Sequence, residues 1–162
     1  FDEKLGPPVR IWAYWHWFDY DREMVKYAGY GTPRLERWLA PYMLGISKFI
    51  SSKRLGISEK SAERSLQEVK KVFQQVGEIL ADGRPFLTGE QFTAADLTFA
   101  ALASPALLPS NYGVPLPPVE KAPPAMAAEI KGFRKSKAGK FAMDLYQRQR
   151  KTENRGNSQT FS

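Results

Sequence analysis

The stretch Phe86–Ala100, FLTGEQFTAADLTFA, constrains the fold of this chain more than any other. Thr93 is a good helix N-cap, because its side-chain oxygen can accept from an orphan N–H of the first turn. Asp96 stands three residues on and can reach back to the N–H of Thr93, a capping box with Asp in place of the usual Glu. Phe92 before the cap and Leu97 at the fourth helical position have the spacing of a hydrophobic staple. Leu97-Thr98-Phe99-Ala100-Ala101-Leu102-Ala103 follows, apolar nearly all round, which predicts a central helix over about 94–104 buried on every side.

The flanking segments read as helices too. Ser58 is placed to cap a helix on which Ala62, Leu66, Val69, Phe73, Val76 and Leu80 recur in steps of four and three, one stripe facing a core. Asp82-Gly83 stops it, Gly83 being suited to a left-handed C-cap. Leu5-Gly6-Pro7-Pro8 reads as a turn, with a proline in the first turn of a helix over 9–20. That helix carries Trp12, Tyr14, Trp15, Trp17, Phe18 and Tyr20, more aromatics than one buried stripe can hold. Thr32-Pro33 looks like the start of a further helix kinked at Pro41 and ended by Gly56. Pro105 and Pro109 end or kink the central helix, and the prolines at 109, 115, 117, 118, 123 and 124 mark an extended connection without its own core. Two last helices are predicted over 124–135 and 138–151. Residues 152–162 read as a disordered polar tail after a domain spanning 1–151.

The Phe/Leu-x-Gly element, the aromatic and the Ser/Thr-x-x-Asp box resemble the opening of the central helix in the C-terminal, all-helical domain of glutathione S-transferases. Phe1–Arg10 with Trp12 and Tyr14 resembles that domain's first helix, and Asp82–Leu87 the turn before the box. Ala138–Phe141 with Leu145-Tyr146 resembles the last helix of bacterial and plastid-type members. The resemblance implies an all-α bundle of five to seven helices, with glutathione as co-substrate in a detoxifying transferase. It further implies a partner, an N-terminal thioredoxin-like domain that holds glutathione and activates its thiol. Residues 1–162 alone are therefore not expected to conjugate glutathione, and the chain reads as one part of a longer protein. The part implied here is the electrophile pocket. Arg10, Tyr14 and Trp17, at spacings of four and three, share one face of the first helix and are the substrate-binding expectation. Thr93 and Asp96 are expected to act structurally. A homodimer or a larger assembly, in the cytoplasm or a plastid, also follows from the family.

Composition narrows the alternatives. Apolar content of 43% with 13% aromatics belongs to a globular chain. With no cysteine, disulfides, thiolate metal sites and a cysteine nucleophile are excluded. The lone histidine, His16, reads as structural, and no metal cluster, phosphate loop or catalytic triad is discernible. Leu97 to Leu108 is too short an apolar run to cross a bilayer. The net charge of +7 lies wholly in residues 131–162, with nine basic residues against Asp144 and Glu153. No aromatic–basic interleaving points to nucleic acid. Such a basic end does suit a second class of function, a non-catalytic interaction module within a larger assembly.

Overall fold

The computed structural model describes residues 1–17, 57–113 and 116–156. Five α-helices are present among them: α1 (Asp2–Trp17), α2 (Glu59–Ile79), α3 (Ala94–Leu107), α4 (Pro124–Lys135) and α5 (Lys137–Gly156). Short 3-10 turns follow α2 (Leu80–Asp82) and precede α4 (Val119–Lys121). The fold is all-α, and the described residues contain no strand, only an isolated bridge between Phe86 and Gly89. The helix expected from Thr32 to Gly56, with its kink at Pro41, and the end of the tail lie outside the described residues.

Helix α1 begins earlier than the prolines suggest. Pro7 and Pro8 sit inside it rather than at its start. Each removes one donor, which frees the carbonyls of Glu3 and Lys4, but both of those residues are exposed and water can replace the missing bond. The same applies to Pro105 inside α3, whose missing donor faces the carbonyl of exposed Ala101. The helix thus runs on to Leu107 instead of stopping at 104. Helix α5 likewise continues to Gly156, beyond residue 151.

Helix α2 starts as its sequence predicts. Ser58 Oγ accepts from the N–H of Ser61 at 3.2 Å, and Ser61 Oγ accepts from the N–H of Ser58 at 2.8 Å. Its buried stripe is Ala62, Ser65, Val69, Val72, Phe73 and Val76. It ends where Gly83 takes φ +87°, a conformation that only glycine adopts without strain. Helix α1 packs chiefly on α2 and then α3, and α5 closes over α3, α4 and α2. Phe73 lies at the centre, 5.6 Å from Phe99 of α3 and 4.5 Å from Phe133 of α4 by ring centroids. Trp12 of α1 meets Phe133 edge-on at 6.0 Å.

Two features depart from the sequence pattern. Helix α3 is not buried on every side: Ala94, Leu97 and Ala101 form an exposed face, with Leu97 60% exposed. Phe92 accordingly packs edge-on against Phe86 at 5.7 Å. The proline-rich connection, for its part, contributes to the core, since Pro109, Val119 and Ala122 are buried. It enters α4 with Pro124 at the first helical turn, where a missing donor does no harm.

Candidate functional site

The capping box is present, and it does more than cap. Asp96 is completely buried. Its Oδ2 accepts from the N–H of Thr93 at 2.7 Å and from Thr93 Oγ1 at 3.0 Å. Its Oδ1 accepts from the N–H of Leu87 at 2.7 Å, a buried bond across the preceding turn. That turn is closed by reciprocal backbone bonds of 3.1 Å between Phe86 and Gly89, with Gly89 at φ +118°. One carboxylate therefore joins the turn after α2 to the first turn of α3. A charged acceptor is suited to this task, since bonds to an ionised group are about twice as strong as neutral ones. The Leu87 contact is invisible in the sequence, because it depends on how the tight turn folds back.

The first helix divides its aromatic residues between two environments. Trp12 and Trp17 are buried, while Tyr14 and Trp15 are 36% and 37% exposed. Arg10 is exposed one turn before Tyr14, and its Nε donates to the carbonyl of Gly6 at 3.2 Å. Of the three residues singled out on this face, Arg10 and Tyr14 are exposed, whereas Trp17 is buried in the core cluster and does not reach the surface with them. Gly6 faces α3, where an added Cβ would stand 3.4 Å from the Leu102 side chain, an ordinary contact. His16 is half-buried with its ring edge-on to Trp12 at 5.6 Å. Burial lowers its affinity for a proton, partly opposed by the negative charge of Glu129.

The basic C-terminal end also splits. Arg134 donates from Nε to the carbonyl of Leu107 at 2.7 Å and from Nη2 to that of Leu108 at 2.6 Å. Lys137 donates to the carbonyls of Leu80 and Ala81, at 3.2 and 3.5 Å. Both cations sit at the C-terminal ends of neighbouring helices, where orphan carbonyls and the helix dipole favour positive charge. Lys131, Lys135 and Lys140 remain exposed. Among the described residues no group of three His, Asp or Glu side chains is placed to hold a metal ion. No described helix is long and apolar enough to cross a membrane.

An all-helical bundle whose central helix opens on a buried Thr-x-x-Asp box defines a class of domain. Residues 59–128 match the family model described as glutathione S-transferase, C-terminal domain, in agreement with the resemblance read from the capping box and its flanking helices. No curated protein and no solved structure matches the chain.

Proposed function

We propose that this domain is the helical half of a glutathione S-transferase-like protein and that it supplies the wall against which the electrophile binds. The observation that carries this reading is the face of α1. A helix packed on α2 and α3 nevertheless keeps Arg10 and Tyr14 at the surface, one turn apart. The Tyr14 ring offers an apolar substrate a surface to lie against, and the Arg10 guanidinium one turn away favours charge that develops as the thiolate attacks. In this reading glutathione is the co-substrate, held and activated by a thioredoxin-like domain. The exposed apolar face of α3, Ala94, Leu97 and Ala101, is of a kind that such a neighbour could cover.

Steady-state kinetics of the intact protein, varying each substrate separately, test the assignment. Tyr14→Ala should raise KM for the electrophile severalfold and leave that for glutathione unchanged. Equal effects on both substrates, or none on either, would remove the pocket from α1. Exposed Lys131, Lys135 and Lys140 support a second reading, a non-catalytic module docking on an acidic partner in a larger assembly. An intact protein that conjugates glutathione to no electrophile, yet binds its partner less tightly at high salt, would favour it.

A further inference from the structure

A cleft of about 550 Å³ opens beside the N-terminal half of α2 and is walled on its far side by Glu129 of α4. Lys60, Arg64 and Gln67 line it at steps of four and three, so they share one stripe of the helix. None of these three side chains makes an ion pair or hydrogen bond with a described residue, and neither does that of Glu63, which also faces the cleft. Helix stability does not account for this arrangement. Like charges four residues apart repel each other, as Lys60 and Arg64 do. Lys60 also stands in the first turn of α2, where the helix dipole disfavours a cation. Glu63, three residues from Lys60, is placed to neutralise it and does not.

At the other end of the cleft Lys70 and Glu129 neutralise each other at 2.8 Å. Two cations, one amide and one carboxylate are left unmatched around a volume in the range of small-molecule sites, about 300–1,000 Å³. Their chemistry selects an occupant. An ammonium and a guanidinium one turn apart suit a doubly charged oxyanion, and a phosphate monoester carries nearly that charge at neutral pH, whereas a carboxylate carries one. Glu63 would repel the phosphate itself but accepts from hydroxyl groups beside it. No aromatic ring lines the cleft, so a nucleobase would have nothing to stack on. Leu66, half-buried at the edge of the core, offers carbon for the C–H groups of a sugar. We propose that this cleft binds a phosphorylated sugar, its phosphate on Lys60 and Arg64 and its hydroxyl groups on Glu63 and Gln67. The site is separate from the face of α1 and needs no glutathione, so it stands whether or not the transferase reading does.

Titration of the isotope-labelled protein with glucose 6-phosphate, followed by backbone and arginine side-chain NMR signals, tests it. The expected result is a saturable shift of signals from residues 60–70 and Glu129. Glucose alone should move none of them at the same concentration, and inorganic phosphate should bind about tenfold more weakly. Each lost charge-assisted contact should lower the affinity for the sugar phosphate about tenfold in Arg64→Gln and in Lys60→Gln, and about threefold in Glu63→Gln. Lys140→Gln removes the same charge from a distant exposed position and should leave the affinity unchanged. Lys60, Glu63 and Arg64 are exposed, so these variants should keep the thermal midpoint of the unsubstituted chain. Absence of a saturable shift, equal affinity for inorganic phosphate, unchanged binding in both Arg64→Gln and Lys60→Gln, or an equal loss in Lys140→Gln would each overturn the proposal.

Discussion

Arg134 closes the end of α3 by donating Nε to the carbonyl of Leu107 at 2.7 Å, and its Nη2 holds the next carbonyl, that of Leu108, at 2.6 Å. Leu108 stands at φ +44°, in the left-handed region usually left to glycine at a helix C-cap. Its side chain is 6% exposed, so burial offsets the strained backbone. The guanidinium stays charged although burial lowers its proton affinity, an effect that Glu120 partly opposes.

Replacing Arg134 with Met keeps the apolar stem and removes both donors. Hydrogen bonds from charged groups contribute about 1.5–3 kcal/mol each in protected sites. Because Arg134 is only partly buried, the expected loss is about 2–3 kcal/mol for the pair. Urea midpoints of the two proteins would measure it. Arg134→Lys should recover only part, since a single ammonium cannot reproduce the planar fork. A loss below about 0.5 kcal/mol for Arg134→Met would mean that water satisfies both carbonyls equally well.

Asp96→Ala removes the acceptor of three donors at once. A lost cap alone costs about 1 kcal/mol. The buried N–H of Leu87 adds the cost of an unsatisfied donor, which brings the total to about 3 kcal/mol. Asp96→Asn should fall between, because its amide offers one acceptor where the carboxylate offers two. Hydrogen exchange gives a local check. The Leu87 amide should exchange faster in both variants, and unchanged protection there would sever the turn from the box.

The cap, the α2 stripe and the Gly83 stop were legible because each depends on residues within one or two turns of sequence. What escaped was set by tertiary contact. Whether Pro7, Pro8 and Pro105 break a helix depends on whether the carbonyls they orphan face water, and here those residues are exposed. The alanine-rich face of α3 is compatible with core or surface, and only its neighbours decide. Nothing near Arg134 or Lys137 in the chain announces that they cap α3 and α2, which lie 27 and 57 residues away. The candidate face of α1 was visible as a surplus of aromatics. Its division into buried Trp17 and exposed Arg10 and Tyr14 was not, because helical spacing alone puts all three on one side.

Gly139 and Gly132 should respond oppositely to alanine. At Gly139 a Cβ would lie 1.9 Å from the carbonyl oxygen of Phe133, a backbone atom that cannot step aside. The junction is tight because Ser136 serves both helices. Its Oγ donates to Phe133 O at 2.6 Å and accepts from the N–H of Gly139 at 3.0 Å. Gly139→Ala must therefore shift α5 against α4, and a loss of about 3 kcal/mol or more is expected. Gly132→Ala meets only open space and should stabilise the chain by roughly 1 kcal/mol. Thermal midpoints moving the same way in both variants would contradict this geometry.

The pH dependence of stability should carry a contribution from His16. Burial is the larger influence on its ring and holds its proton affinity below the ordinary value of 6.5, while Glu129 partly restores it. Glu129 is itself engaged by Lys70 at 2.8 Å, which weakens that help. The unfolded chain therefore binds this proton more readily than the folded one. The contribution of neutral His16 is complete above pH 6.5, and it is lost as pH falls from there towards the depressed folded-state value. Below that value the group adds no further loss. His16→Gln removes the titration while keeping a polar side chain of similar size. Denaturant midpoints of both proteins between pH 8 and pH 5 should diverge only on the acid side, with the unsubstituted chain falling more steeply. Parallel curves would show that the ring is solvated well enough to accept its proton without disturbing the packing around Trp12.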